Sequence, residues 1–123
     1  MNLVDSSGWL EYFADARNAR FFAPVIEDTE NLIVSTINIY EVFKRVLQQR
    51  GQDAALQAVA LMHHGGLADV TSAIAMDAAT LSTELKLPMA DSLILATSRA
   101  HGAVLWTQDA HLRGLPGVRY IKK

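Results

Sequence analysis

The residues of this chain best suited to chemistry are carboxylates near the ends of short apolar runs. Asp5 directly follows the run 2–4, Asp109 comes soon after the run 103–106, and Asp91 lies in the first turn of a predicted helix. Carboxylates within about 5 Å of one another repel by roughly 3 kcal/mol per pair at an effective dielectric near 20. A cluster of them therefore requires a bound cation or raised pKa values.

The side chains available as ligands favour a hard cation. The chain has no cysteine, and we find no histidine at ligand spacing from these acids. Oxygen ligands alone suit Mg²⁺ or Mn²⁺ better than Zn²⁺ or copper. A magnesium ion held by carboxylates typically serves phosphate chemistry, because it orients and acidifies a water and neutralises charge during in-line displacement. We therefore expect chemistry at a phosphate group.

Each acid also has an ordinary explanation when it is taken singly. Asp5 is suited to capping the helix that follows it, Asp91 is favoured by the helix dipole, and Asp109 fits a turn. Glu41 lies almost opposite the apolar stripe of its predicted helix, where pairing with a base on the same helix is the usual arrangement. Periodicity alone does not select Glu41, so both interpretations stay open.

Apolar runs of strand length alternate with longer amphipathic segments, which predicts repeated βα units and a mainly parallel sheet. If the first and fourth strands are neighbours, Asp5 and Asp109 meet at the edge where such sheets bind ligands, with Asp91 on the same edge. Asp53 is predicted to cap the fourth helix. The predicted strands are 2–4, 32–34, 67–70, 103–106 and 118–121, and the predicted helices start near 9 and cover 19–27, 37–50, 53–62, 76–86 and 88–101.

Length and composition indicate one domain spanning 1–123. The chain has 123 residues, half of them apolar, and 11 Lys and Arg against 13 Asp and Glu give a net charge of −2. Without cysteine, disulfides and thiolate metal sites are excluded. We expect neither a signal peptide nor a membrane span. The near-neutral charge argues against a protein that coats nucleic acid by charge alone, but it allows an enzyme that contacts a few phosphates.

Four strings carry a resemblance to a known family. They are Leu3-Val4-Asp5-Ser6-Ser7, Glu41 in the helix after the second strand, Ala90-Asp91-Ser92-Leu93-Ile94-Leu95-Ala96, and Val104-Leu105-Trp106-Thr107-Gln108-Asp109. In order and separation they resemble the acidic signatures of PIN-domain nucleases, and most closely those of VapC-type ribonuclease toxins of type II toxin–antitoxin systems. The resemblance covers essentially the whole chain.

The resemblance implies a fold and a site. The fold is a single PIN-like α/β/α sandwich with a mainly parallel sheet of four to five strands. Asp5, Glu41, Asp91 and Asp109 would form the catalytic quartet that holds Mg²⁺ or Mn²⁺. Ser6 and Thr107 would be supporting hydroxyls that bond a carboxylate or a water on the metal. The family's usual second acid beyond Asp109 is replaced by Ala110-His111, which leaves the status of Asp109 as a direct ligand open.

The function implied is that of a Mg²⁺- or Mn²⁺-dependent endoribonuclease in the cytoplasm. The resemblance to VapC-type toxins also implies a homodimer. It further implies a cognate antitoxin protein that fills the catalytic groove with a basic residue. Among the scattered bases, Lys44, Arg45 and Arg113 lie nearest in sequence to the proposed site acids, and we expect them to contact RNA phosphates.

Two alternative functions remain at this point. A phospho-acceptor receiver-like signalling domain also gathers acids and Mg²⁺ at strand ends, but here Asp5 is followed by Ser6-Ser7 instead of an acid. The other is a PIN-fold binding module without catalysis. We interpret the remaining conspicuous residues as structural: the histidines 63, 64 and 101 as helix ends, and the aromatics 9, 12 and 13 as core or interface.

Overall fold

Five short apolar runs form parallel strands in the computed structural model, which describes residues 1–123. The strands are β1 (Asn2–Val4), β2 (Leu32–Ser35), β3 (Gly66–Ala68), β4 (Val104–Thr107) and β5 (Val118–Tyr120). They form one sheet in the order β3-β2-β1-β4-β5, in which every pairing is parallel. This confirms the predicted α/β class with a parallel sheet, at the upper end of the expected strand number.

Six helices connect the strands. They are α1 (Ser6–Phe13), α2 (Ala19–Glu27), α3 (Thr36–Arg50), α4 (Gln52–Met62), α5 (Ser72–Leu85) and α6 (Met89–Ala100), with single 3₁₀ turns at Thr29–Asn31 and Ala110–Leu112. Ser35 begins α3 with a reciprocal cap, because its hydroxyl accepts from Ile37 N while the Asn38 side chain accepts from Ser35 N. None of the six helices has both the length and the hydrophobicity needed to cross a membrane.

The two faces of the sheet are covered by different helices. Alternate strand residues point to opposite faces, so Val4 and Val34 pack with Trp9, Phe22 and Met62 in a core beneath the first four helices. The other face packs against α6, where the strand residues Leu3, Ile33 and Leu105 meet Ile94 and Leu95. The result is a three-layer arrangement with helices on both sides of the sheet.

Some predicted boundaries are wrong, each for a local reason. The third strand covers Gly66–Ala68 instead of 67–70, and α5 begins four residues earlier than predicted because the Thr71 hydroxyl accepts from Ile74 N. Asp53 does not cap α4; Gly51, with φ +88°, stands at the cap and Asp53 lies in the first turn. Glycine adopts this positive φ without strain, so one residue ends α3 and starts α4.

Gly8 marks the closest approach of α1 to the sheet. A Cβ atom at this position would lie 2.6 Å from a Val4 methyl carbon and 2.7 Å from the Phe22 ring. Only glycine therefore lets α1 begin directly after β1 and remain packed on it. That short connection fixes where Asp5, between the two elements, can place its carboxylate.

Candidate active site

The sheet reverses its strand order between β1 and β4, and the chain exits both strands at the same edge. Val4 pairs with Trp106, and the Asp5 amide continues the ladder by donating to the Trp106 carbonyl at 2.9 Å. Asp5 and Thr107 therefore stand side by side beyond the last paired residues. Such a switch point is where parallel sheets bind ligands.

The Asp5 carboxylate is buried, with 3% of the residue exposed, and accepts three hydrogen bonds. Its Oδ1 accepts from Ser6 N at 2.8 Å, and its Oδ2 accepts from the hydroxyls of Ser7 and Thr107, each at 2.8 Å. Burial raises the pKa of Asp5; the three donors oppose that shift and the nearby charge of Asp109 adds to it. The bond to Ser6 N also makes Asp5 the N-cap of α1, so the capping interpretation of this residue is confirmed, and its role as a metal ligand stays a prediction.

Glu41 reaches the same edge from the second turn of α3. Its Oε1 accepts from the Ser6 hydroxyl at 2.7 Å, and that hydroxyl accepts from Asn38 Nδ2 at 3.0 Å. Burial raises the pKa of Glu41, and the charges of Asp5 and Asp109 raise it further. The helix face opposite the apolar stripe thus looks onto the cluster, and Glu41 forms no ion pair with a base on its own helix.

Asp91 and Asp109 form the second half of the cluster together with His111. Nδ1 of His111 lies 3.0 Å from Asp109 Oδ1 and 3.5 Å from Asp91 Oδ2. One ligand atom from each of the three residues lies within 4.8 Å of the others, and neither Asp5 nor Glu41 belongs to that tightest group. Our expectation that no histidine has ligand spacing to these acids is therefore wrong, since the 3₁₀ turn after Asp109 folds the His111 ring back onto them.

The Asp91 carboxyl is perturbed both by burial and by the neighbouring acids. Its pKa is raised to about 7, first by burial, then by the charge and hydrogen bond of Asp109, and also by Asp5, while His111 acts in the opposite direction. Only 8% of the residue is exposed, and no hydroxyl or backbone N–H donates to its carboxylate. No lysine or arginine forms an ion pair with any of these acids. The negative charge of this edge is thus largely uncompensated by the protein.

A buried amide network anchors the exit of β4, and the sequence motifs did not reveal it. Gln108 Oε1 accepts from Asn18 Nδ2 at 2.9 Å, and Gln108 Nε2 donates to Glu11 at 3.3 Å. Asn18 Nδ2 also donates to the Lys122 carbonyl at 3.1 Å. Because Gln108 lies between Thr107 and Asp109, this network fixes the backbone that carries them. Amides in a core have no periodicity or motif of their own, so only the structure reveals them.

The three bases predicted to contact RNA are exposed, and none forms an ion pair with the four acids. Lys44 Nζ lies 5.7 Å from the centre of the Tyr40 ring, and the Arg113 guanidinium lies 5.8 Å from that of Tyr120. Arg45 lines a groove between α1, α3 and α4.

Two structural interpretations are confirmed: Trp9 is buried in the core, and His63, His64 and His101 lie exposed at or just beyond helix ends.

The donor set fits a divalent cation. Four carboxylates converge on one edge, where burial and neighbouring acids raise the pKa of Asp5, Glu41 and Asp91. Ligand atoms of Asp91, Asp109 and His111 already lie within 4.8 Å of one another. Oxygen-rich sites of this kind select hard cations. Asp5, Glu41, Asp91 and Asp109 remain our predicted ligands.

Comparison with known proteins identifies the family. The family model described as PIN domain matches residues 3–118. The chain belongs to the PIN-domain family. This membership argues against the receiver-like alternative, and so does the sheet, because a receiver carries its acceptor after a third strand and the third strand of this PIN domain is an edge strand. A sequence search among curated proteins gave no match.

Solved structures share the fold over nearly the whole PIN domain. A chain of a toxin–antitoxin complex from Klebsiella pneumoniae is 25% identical, with a TM-score of 0.80 over 97% of this chain and 96% of that chain. A VapBC chain from Salmonella typhimurium, described as DNA-bound, is 16% identical with a TM-score of 0.76 over 99% and 98%. VapC20 of Mycobacterium tuberculosis, described as a toxin that cleaves the sarcin–ricin loop, is 18% identical with a TM-score of 0.74 over 97% and 99%.

Proposed function

We propose that this PIN domain is a Mg²⁺- or Mn²⁺-dependent endoribonuclease of the VapC toxin type. The observation that carries the proposal is the convergence of Asp5, Glu41, Asp91 and Asp109 on one sheet edge without a lysine or arginine to pair them. A fold gains nothing in stability from such repulsion, so the cluster is most simply explained by a cation that it binds during function.

In this proposal the four carboxylates would hold the cation, and the chemistry it would supply is polarisation of the phosphodiester and a more acidic water. The protein fixes the position of Asp5 by three donors, and Ser6 fixes Glu41 against α1. Lys44, Arg45 and Arg113 contact phosphates on either side of the scissile bond, and thereby position the RNA without reading its bases. Water attacks phosphorus and the 3′-oxygen leaves, which yields 5′-phosphate and 3′-hydroxyl ends.

The direct test is cleavage of RNA by the purified protein with Mg²⁺ or Mn²⁺. We expect cleavage that stops with EDTA and in Asp91→Asn, whereas Asp53→Asn, an exposed acid on α4, retains it. Cleavage that survives both EDTA and Asp91→Asn would refute the mechanism. Metal binding without cleavage of any RNA would favour the alternative of an inactive PIN-fold binding module.

The partner we propose is an antitoxin protein. A groove of about 460 Å³ lies between α1, α3 and α4, with Leu10, Phe13 and Leu61 among its apolar lining residues and Arg45 and Arg50 among its charged ones. Apolar side chains and acidic residues of a partner segment match this lining. Structural neighbours come from toxin–antitoxin complexes, which supports this choice of partner.

The groove adjoins the acid cluster, which suggests how an antitoxin inhibits. Ser7, which donates to Asp5, and Gln108, which precedes Asp109, both line it. A segment in the groove can therefore extend a basic side chain to the carboxylates and also cover Arg45. Phe13→Glu should abolish co-purification with the co-expressed antitoxin while RNA cleavage persists; retained co-purification would place the partner elsewhere.

We also propose the homodimer that the family resemblance implies. Large apolar side chains remain exposed on α3, α5 and α6, at Tyr40, Met76 and Met89. Light scattering on the purified chain should give twice the monomer mass, and Met76→Lys with Met89→Lys should reduce it. A wild type that is monomeric at micromolar concentration would contradict this proposal.

A further inference from the structure

His111 is an exposed residue whose ring nitrogen nevertheless faces two carboxylates. The side chain is 62% exposed, yet its Nδ1 is directed at Asp109 and Asp91, at 3.0 and 3.5 Å. The backbone fixes this orientation, because His111 N donates to Asp109 Oδ1 at 3.0 Å and closes the turn between the two residues. The ring is thus held at the rim of the acid cluster by local structure.

The separations suit a shared ion. Adjacent ligands of an octahedral ion with bonds of about 2.1 Å lie about 3.0 Å apart, close to both distances from the His111 ring. Nε2 has no hydrogen-bond partner in the protein, so it can carry the ring proton and leave the Nδ1 lone pair free for a cation. The three residues therefore offer two oxygens and one nitrogen to one position.

We propose that His111 supplies a nitrogen ligand to the metal site, beside Asp91 and Asp109, and that this ligand makes the site prefer Mn²⁺ to Mg²⁺. The proposal rests on the proposed function and deepens it. Mg²⁺ binds oxygen ligands almost exclusively, whereas first-row divalent ions gain affinity from imidazole. A single histidine on the rim thus changes which ion the same carboxylates retain.

The test measures the metal directly, without RNA. Mn²⁺ alone is added to the wild type, and pulsed electron paramagnetic resonance is used to detect coupling of the ion to ¹⁴N. We expect nitrogen coupling in the wild type and in His101→Ala, a matched exposed histidine at the end of α6, and none in His111→Ala. The wild-type spectrum tests the proposal even if a variant fails to fold. His111→Ala should itself fold, because His111 lies outside the hydrophobic core.

Calorimetric titration with each ion gives the selectivity. In His111→Ala we expect the Kd for Mn²⁺ to rise roughly tenfold or more, the size of effect typical of disturbed metal ligation, while the Kd for Mg²⁺ changes less than about threefold. Nitrogen coupling that is absent from the wild type, or that survives in His111→Ala, would overturn the proposal. An equal loss of affinity for Mn²⁺ and Mg²⁺ in His111→Ala would also overturn the proposal, because His111 would then act only through its charge or dipole.

Asp91→Asn separates this proposal from the proposed function. If Asp91→Asn loses both ions while His111→Ala binds them as the wild type does, the ligand assignment fails and the metal-dependent function stands. If His111→Ala loses the nitrogen coupling but the wild type cleaves no RNA, the ligand assignment stands and the proposed function fails.

Discussion

The two halves of the acid cluster are built differently. Asp5 is held by three hydrogen-bond donors, and Glu41 is held by the Ser6 hydroxyl. Asp91 receives no hydroxyl or backbone donor and faces only Asp109 and the exposed ring of His111. The half at β1 is therefore preorganised by hydrogen bonds within the protein, whereas Asp91 in the half at α6 has no such donor. In the proposed metal site, Asp5 and Glu41 would be the rigid ligands and Asp91 would adjust to the ion.

The largest effect is expected from neutralising Asp91, in the half of the cluster with fewer hydrogen-bond donors. Asp91→Asn should lower the rate of RNA cleavage by at least about a hundredfold, since it removes a proposed ligand. The same substitution should raise the melting temperature of the metal-free protein at pH 8, because it removes a charge that burial and its neighbours disfavour. Initial rates of RNA cleavage check the first expectation, and thermal melts with EDTA check the second.

Asp53→Asn provides the matched control, since Asp53 is exposed and outside the cluster. A metal-free Asp91→Asn protein less stable than the Asp53→Asn control would mean that Asp91 contributes to the fold, and the contrast between the two halves would fail.

Thr107 joins the two halves, so its loss tests whether they act together. Its hydroxyl donates to Asp5 and accepts from Asp109 N at 2.9 Å. Thr107→Val keeps the shape but leaves both groups without this partner, at a cost of about 1–3 kcal/mol in unfolding free energy. We expect cleavage to fall about tenfold in addition. Denaturant unfolding and initial rates measure the two effects.

Thr80→Val is the control for Thr107→Val, because the Thr80 hydroxyl bonds only within its own helix. If both valine variants lose stability equally, Thr107 has no special role between the halves.

The raised pKa of Asp91 predicts a pH-dependent stability in metal-free protein. With a pKa of about 7 against an ordinary value of 3.8, folded Asp91 keeps a proton that the unfolded chain releases. The stabilisation is therefore complete below about pH 4 and is lost as the pH rises through 7. The melting temperature of Asp91→Asn relative to wild type should rise over this range, on the order of a few degrees. A difference in melting temperature between Asp91→Asn and wild type that stays constant from pH 4 to 8 would contradict this prediction.

A smaller effect is expected in the half formed by Asp5 and Glu41, which has more hydrogen-bond donors. Ser6→Ala removes the donor to Glu41 and the acceptor for Asn38, while Asp5 keeps all three of its donors. We expect a loss of about 0.5–1.5 kcal/mol in unfolding free energy and a reduction in cleavage of only a few fold. Ser98→Ala, a buried serine bonded within its own helix, is the matched control. A loss of activity as large as that of Asp91→Asn would show that this half is not preorganised.

Much of the architecture follows from the sequence because it depends on local patterns. Short apolar runs and amphipathic segments predicted all five strands and six helices, and the carboxyl ends of adjacent parallel strands brought Asp5 and Thr107 together. Errors fell on boundaries decided by single hydrogen bonds, such as the Thr71 cap of α5, and on β3, whose first two residues are exposed. Apolar patterning carries no signal at such positions.

The site was less accessible to sequence analysis because side-chain direction decides it. Helical periodicity placed Glu41 on a polar face, but only the packing of α3 against the sheet edge shows what that face meets. His111 lies close to Asp109 in sequence but was left out of the predicted site residues, because the spacing expected for a metal ligand does not describe a 3₁₀ turn, which folds back within two residues. The Asn18–Gln108 bond joins residues 90 apart and leaves no local pattern.

The tight contact at Gly8 offers a way to control the protein by temperature. Gly8→Ala inserts one methyl group where Val4 and Phe22 leave no room, at a cost typical of an overfilled core, about 1–3 kcal/mol. No charged group changes, so the variant should work normally when cool and unfold on modest warming. Such a heat-labile variant would let a cell hold the folded protein at low temperature and lose it on warming.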